Sequence, residues 1–191
     1  MLSLALCLGV VGARPVVGDG AFVAAGVRAG VVAGTYHATA ERETVAEGFV
    51  GPGLVVDVAL GHALVPGTAL ALALSGGLAL FVDGVDGRVS SMFMFASTSA
   101  ALRLHQDFDA FHVMVGGGAE LGALQGGHAD VPGQAVRQSS LIGPMGTAGL
   151  GWRSEKTGLD VGIQVDVAYL RAQQTTMIPV MVMAHARWLS F

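Results

Sequence analysis

Ionisable side chains are scarce in this chain, and most of them stand alone among apolar neighbours. The stretch from 159 to 174, LDVGIQVDVAYLRAQQ, puts Asp160 and Asp166 on one parity and Leu159, Val161, Ile163, Val165, Val167 and Tyr169 on the other. Arg28, Asp57, Arg103, Glu120, Arg153 and Arg187 recur in the same way, each on the parity that otherwise carries small residues, and His105, His112 and His185 fall with them. Four arginines and four carboxylates collected on one face suit mutual neutralisation, because a lone buried charge costs several kcal/mol. Two other chemistries are weaker. His105 and His112 flank one turn and offer two metal ligands, but no third ligand is spaced to join them, so they read as polar lining and no cofactor or metal is expected. Ser97 and Ser99 share a face with His105, yet acyl chemistry needs a hydroxyl, a base and a third group that orients the base. None of His37, His62, His105, His112, His128 and His185 sits in a pattern that supplies all three, and no catalytic residue is assigned. The glycines of VGGGAELG lie on a strand with no helix after them, so they are not a phosphate loop.

The elements that must position these groups are strands, since period two places alternate side chains on opposite faces. Eight such segments follow Gly20, at 21–37, 49–64, 68–82, 90–105, 110–124, 140–154, 159–172 and 177–190. The longest apolar stretch, GTALALALSGGLALFV, falls short of the roughly 20 residues of a spanning helix. It also collects Leu70, Leu72, Leu74, Leu78 and Leu80 on one parity, as a strand does and a helix does not. The connections around VPG, QDFD and EKTG are compact, those at ATAERETVAEG, DGVDGR and QGGHADVPGQAVRQ are more polar, and QQTT is short. An even number of antiparallel strands with short turns at one end is the plan of an up-and-down β-barrel.

The faces decide the orientation. Leu54, Val56, Val58 and Leu60 oppose Gly53, Val55, Asp57 and Ala59; Phe111, Val113, Val115 and Leu121 oppose His112, Gly116, Gly118 and Glu120; Val23, Val27 and Val31 oppose Gly26, Arg28 and Gly30. With the aliphatic face inside, the outside would be glycine, alanine and a few charges, too apolar for a dissolved surface. With the aliphatic face outside, it meets lipid, and the charges point into a lumen narrow enough to be filled by side chains. Arg171, at a strand end, reaches the headgroups. Matching faces across the turn at 155–158 sets Arg153 opposite Gly158 or Asp160, the second giving a cross-strand ion pair. A tight turn at QQTT sets His185 opposite Gln164 and Arg187 diagonal to Asp160. The expected result is a cluster of Arg153, Asp160 and Arg187 near the end with the compact turns. Met92, Met94, Met181 and Met183 are read as packing.

Charged residues are only 13% of the chain, net charge is -4 and no basic run occurs, so nucleic acid is not expected as a partner. The opening MLSLALCLGVVGARP reads as a signal-peptide remnant over 1–13, with the barrel domain over 20–191; removal of that segment takes away Cys7, the one cysteine. Eight alternating segments, a polar lumen of arginines and carboxylates, and a last strand TMIPVMVMAHARWLSF closing at Phe191 together resemble the small eight-stranded outer-membrane barrels of Gram-negative bacteria. That group includes the barrel domain of outer membrane protein A. The resemblance implies an outer-membrane location, outer-membrane lipid around a monomer, and recognition of the C-terminal strand by the barrel-assembly machinery. Trp152, Tyr169 and Trp188 are the girdle residues, with Phe191 in the insertion signal. Because the register turns Leu189 and Phe191 inward, against the family pattern, a bulge near Trp188 is expected to reset the parity. The functional expectation is a non-enzymatic structural or interaction role with an Arg/carboxylate network plugging the lumen. The alternatives are a minor channel or small-ligand carrier, and more remotely a lipid-modifying enzyme.

Overall fold

Strict alternation builds a sheet with two unlike faces, and such a sheet hides the small-residue face only by curling onto itself. In the computed structural model it does so. The structure describes residues 20–40, 43–85, 88–109, 111–128, 137–154, 157–172 and 175–190. Its elements are β1 (Ala21–Ala40), β2 (Glu43–Val65), β3 (Thr68–Val85), β4 (Arg88–Phe108), β5 (Phe111–His128), β6 (Arg137–Arg153), β7 (Leu159–Ala168), β8 (Leu170–Ala172) and β9 (Thr175–Ser190). From β1 to β7 each strand pairs antiparallel with the next, β7 and β8 both pair with β9, and β1 also pairs with β9 from Val23↔Ser190 to Ala38↔Thr175, which closes the ring. β7 and β8 are one stave, because Met145↔Ala168 and Ile142↔Arg171 keep a single register on β6. The break falls where Tyr169 donates its N–H to the Pro144 carbonyl at 3.0 Å, since proline has no N–H to return the bond. The result is an eight-stave, up-and-down barrel.

The ladders run further than the aliphatic pattern. β4 continues through QDF to Phe108, β1 and β2 pair up to Ala40↔Glu43, and β5 reaches His128, so segments read as links from sequence are strand. Backbone pairing needs no greasy side chain; where both faces meet polar surroundings the ladder continues and the alternation fades. At the base of the barrel the turns are tight. Pro66 and Gly67, with Gly67 at φ 79°, form the turn between β2 and β3, where proline's fixed φ and glycine's tolerance of positive φ suit a type II turn. Asp109 takes a positive φ of 61° between the paired Phe108 and Phe111. The opposite end is called the rim.

The outside carries the aliphatic band: Val27, Val31, Leu54, Val56, Leu60, Leu72, Leu74, Leu78, Leu102, Val115, Leu121, Ile142, Leu150, Ile163 and Val182 are all exposed. No described Asp, Glu, Lys or Arg interrupts these mid-strand positions, and the band is a lipid-facing surface. Trp152 and Trp188 face outward near the base beside Phe108 and Phe111, while Tyr169 faces outward toward the rim. The bulge expected near Trp188 does not form. β9 alternates without interruption through Ser190, leaving Leu189 buried against Phe22, Ala24, Ala59 and Ala69, because this apolar floor offers Leu189 a packed site and removes any need to turn it out. Phe191 and the segment 1–13 lie outside the described residues.

The small residues of the inner face set how tightly the barrel fills. A methyl at Gly61 would meet three ring atoms of Phe22 at 2.1, 2.3 and 2.8 Å, whereas one at Gly146, on the outer face, meets nothing within 4 Å. Gly61→Ala should therefore lower unfolding stability by about 1–3 kcal/mol through overpacking, and Gly146→Ala should leave it within about 0.5 kcal/mol. Urea unfolding of the detergent-refolded barrel measures both; equal effects would mean that Phe22 moves aside freely.

Candidate functional site

Every residue of the expected lumen set points inward and is buried. Arg28, Asp57, Arg103, Glu120, Arg153, Asp160, Asp166 and Arg187 are each exposed by 3% or less. Most of them lie in the half of the lumen nearer the base, and the reason is local. Each sits on the parity of glycine, alanine or serine, whose small side chains leave room for a long arginine to cross the barrel.

Asp57 on β2 is the hub. Its Oδ2 accepts from Arg103 Nη1 at 3.1 Å and from Arg187 Nε at 3.0 Å, and its Oδ1 lies 3.5 Å from Arg28 Nε. Arg28 in turn donates from Nη1 to Asp166 Oδ2. Gln164 Nε2 donates to Asp166 Oδ1 at 2.6 Å, and Arg187 Nη2 donates to Gln164 Oε1. This chain of contacts ties β1, β2, β4, β7 and β9 together across the lumen. Charge-assisted bonds of this kind are about twice as strong as neutral ones.

A second group lies closer to the base. Arg153 Nη1 donates to both carboxylate oxygens of Asp107, at 3.0 and 3.2 Å. Arg153, Asp160 and Arg187 are direct neighbours, through Arg153↔Asp160 on β6 and β7 and Asp160↔Arg187 on β7 and β9. Their heads meet loosely: Asp160 Oδ2 is 3.8 Å from Arg153 Nη2 and 3.9 Å from Arg187 Nη1. Asp160 stands nearer to two imidazoles, His185 Nε2 at 3.3 Å from Oδ1 and His112 Nε2 at 3.6 Å from Oδ2. His105 completes a file of rings, 6.0 Å from His112 between centroids, and is itself edge-on to Phe22.

Three placements differ from the sequence reading. Ala172 pairs with Thr175, so the last hairpin turns two residues tighter than QQTT implied; His185 lies opposite Gly162 rather than Gln164, and Arg187 directly opposite Asp160 rather than diagonal to it. Asp107, read as part of a link, is an inward strand residue and the principal partner of Arg153. Glu120 makes no ion pair with any described arginine; it faces Ser99 across β4 and β5, in a row continued by Ser75. Alternation carried two residues past His105 would have found Asp107. Gln164 was findable by the same parity, but an uncharged amide gave no reason to look.

Toward the rim the lumen becomes apolar. Val32, Val55, Phe81, Phe95, Leu141, Leu170, Met177, Met181 and Met183 form one buried cluster, with Tyr36, Phe49 and Phe93 packed against it. Met181 and Met183 are therefore packing, while Met94 faces outward. Above this cluster a cavity of about 360 Å³ is lined by Tyr36, Phe49, Phe81, Phe93, Leu124 and Met177.

With this geometry in view, known structures place the fold. Neisserial surface protein A aligns over 89% of this chain and 99% of its own, with a TM-score of 0.59 and 12% identity. The chain has the fold of the small eight-stranded outer-membrane barrels. The outer membrane protein OprG of Pseudomonas aeruginosa aligns over 94% of this chain and 98% of its own, with a TM-score of 0.52 and 11% identity. No family model and no curated protein matches the sequence.

Removing the hub charge is the direct probe of the network. Asp57→Asn leaves three guanidiniums short of one anion and should cost about 3–5 kcal/mol, as breaking a buried pair does. Asp166→Asn should cost less, because Arg28 retains Asp57. Urea unfolding in detergent would show the ordering; equal losses would mean that Asp57 is not the centre.

Proposed function

We propose that this protein is a bacterial outer-membrane barrel with a structural or surface-interaction role, its lumen closed to steady ion flow by the Arg/carboxylate network. The observation that carries this reading is the hub itself. Three arginines from three staves converge on Asp57, and residues from five staves occupy the cross-section at that level. Below them sits the apolar floor of Phe22 and Leu189, and above them the Phe95, Leu141 and Met183 layer. Side chains held by opposite charges on other staves do not readily yield to a hydrated ion. The barrel would sit as a monomer in outer-membrane lipid, reaching it through the barrel-assembly machinery by its C-terminal strand, with Trp152, Trp188 and Tyr169 at the headgroup levels.

A second reading, small-ligand carriage, draws on the rim cavity. Its aromatic and methionine lining suits a small apolar molecule, and the cluster packed at its floor supports a binding cup rather than a continuous path. Ser97 and Ser99 line the lumen beside Glu120, away from the histidine file, which weighs against acyl chemistry.

Planar-bilayer recording on protein that shows a heat-dependent gel shift tests the proposal. The expected outcome is an intact bilayer without steady single-channel steps; reproducible ohmic steps would replace it with the channel reading. The lipid-facing assignment has its own check. Leu74→Arg, at mid-strand on the outer face, should reduce folding stability in vesicles by about 2–4 kcal/mol, and a change below about 1 kcal/mol would mean that the band lies outside the bilayer midplane.

A further inference from the structure

We propose that His112, Asp160 and His185 form a binding site for one divalent transition-metal ion of the zinc type. The three come from β5, β7 and β9, are exposed by 1%, 2% and 4%, and bring one potential ligand atom each to within 4.8 Å of the others. His112 Nε2 lies 3.6 Å from Asp160 Oδ2 and His185 Nε2 lies 3.3 Å from Asp160 Oδ1, so the two imidazoles approach different oxygens of one carboxylate, each near the roughly 3.3 Å that separates two ligand atoms of a tetrahedral ion with bonds of 2.0–2.1 Å.

Two further observations point to a ligand. Neither ring nitrogen of His112 makes a hydrogen bond, although the side chain is buried and Nε2 faces Asp160. A buried polar group in that state calls for a partner. The backbone between the histidines is also cleared for them. His112 pairs with Gly151, Gly151 with Gly162, and Gly162 with His185, so two glycines stand in register between the imidazoles. A Cβ at Gly151 would lie 2.6 Å from His112 Cε1 and 3.0 Å from Asp160 Oδ1; at Gly162 it would lie 2.8 Å from His185 Cε1. Side chains at either position would push the rings off the carboxylate.

The neighbouring arginines are the evident objection. Each has its closer partner elsewhere: Arg153 on Asp107 at 3.0 Å, and Arg187 on Asp57 at 3.0 Å. Asp160 is thereby left to the imidazoles. Two neutral imidazoles and one carboxylate suit a borderline ion better than calcium or magnesium, which prefer all-oxygen sites. Three protein ligands leave the remaining position to water.

The test uses tag-free protein refolded in detergent, in a His37→Gln/His62→Gln/His128→Gln background that leaves His105, His112 and His185 as the remaining histidines. Cobalt(II) titration followed by zinc displacement should give one ion per chain with a low-coordinate visible spectrum. His112→Gln and His185→Gln should each weaken binding by about tenfold or more, since losing a ligand costs at least what losing one of its outer hydrogen-bond partners does. Absence of saturable binding, or unchanged affinity in the His112→Gln/His185→Gln double variant, overturns the site. Where a variant loses its heat-dependent gel shift, X-ray absorption on the zinc-loaded background protein decides. Two imidazole nitrogens in the coordination shell support the site, and an all-oxygen shell refutes it.

Discussion

The arrangement depends on one constraint: a closed eight-stave barrel encloses so little space that whatever points inward must fit and must be neutralised. Lipid on the outside takes up the aliphatic side chains, so none is spared for a conventional core on that side. The interior is then left with the few residues that do not suit lipid, and these are the ionisable ones. Asp57 resolves the problem near the middle of the barrel by accepting hydrogen bonds from Arg103 and Arg187 and drawing Arg28 into ion-pair contact. Its position explains why Arg28, Arg103 and Arg187, remote in sequence, converge on one level.

Small residues are the other half of the same constraint. Gly26 opposite Arg187, Gly116 opposite Arg103, and Gly151 and Gly162 beside the histidines each yield the volume that a long or planar neighbour takes. These glycines are required by packing, apart from those that the tight turns use. Along the axis the filling changes character, from an apolar floor through the charged layers to the Phe and Met cluster. The charged layers are thus separated from the rim by packed apolar side chains, and their ion pairs act at lower dielectric than they would in water.

Alternation alone made much of this legible, because inside and outside differ in polarity at every step of a strand. It identified the eight staves, the lipid face and, by number, eight of the nine acids and arginines buried among the described residues. It could not fix the last hairpin: Gln173, Gln174, Thr175 and Thr176 are all polar, so moving the turn by one residue, which shifts the register by two, changes no face, and His185 and Arg187 slid two places relative to β7. It also missed Asp107, since a polar QD pair beside a turn looks like loop when the stave's last inward position is occupied by an acid. Family pattern misled at Leu189, where the local floor of Phe22 and alanines settled the orientation. The apolar upper lumen was hidden for a different reason. Phe81, Phe95 and Leu141 look like lipid-facing residues in isolation, and only their parity against neighbouring leucines separates the two roles.

The buried charges contribute more to register than to stability. An ion pair taken from water recovers little net energy against a well-packed apolar substitute, and an apolar lumen of equal volume would hold the barrel closed. Such a lumen would, however, tolerate a one-residue slip, because every strand would then be apolar on both faces and either could meet lipid. With Arg28, Arg103, Arg153 and Arg187 on four different staves, a slip of any one of them turns a guanidinium into the bilayer, at a penalty of several kcal/mol near the midplane. The same slip strands a carboxylate in the lumen. Sparse charges, one or two on seven of the eight staves among the described side chains, are therefore sufficient to define inside and outside for a chain whose remaining residues would accept either.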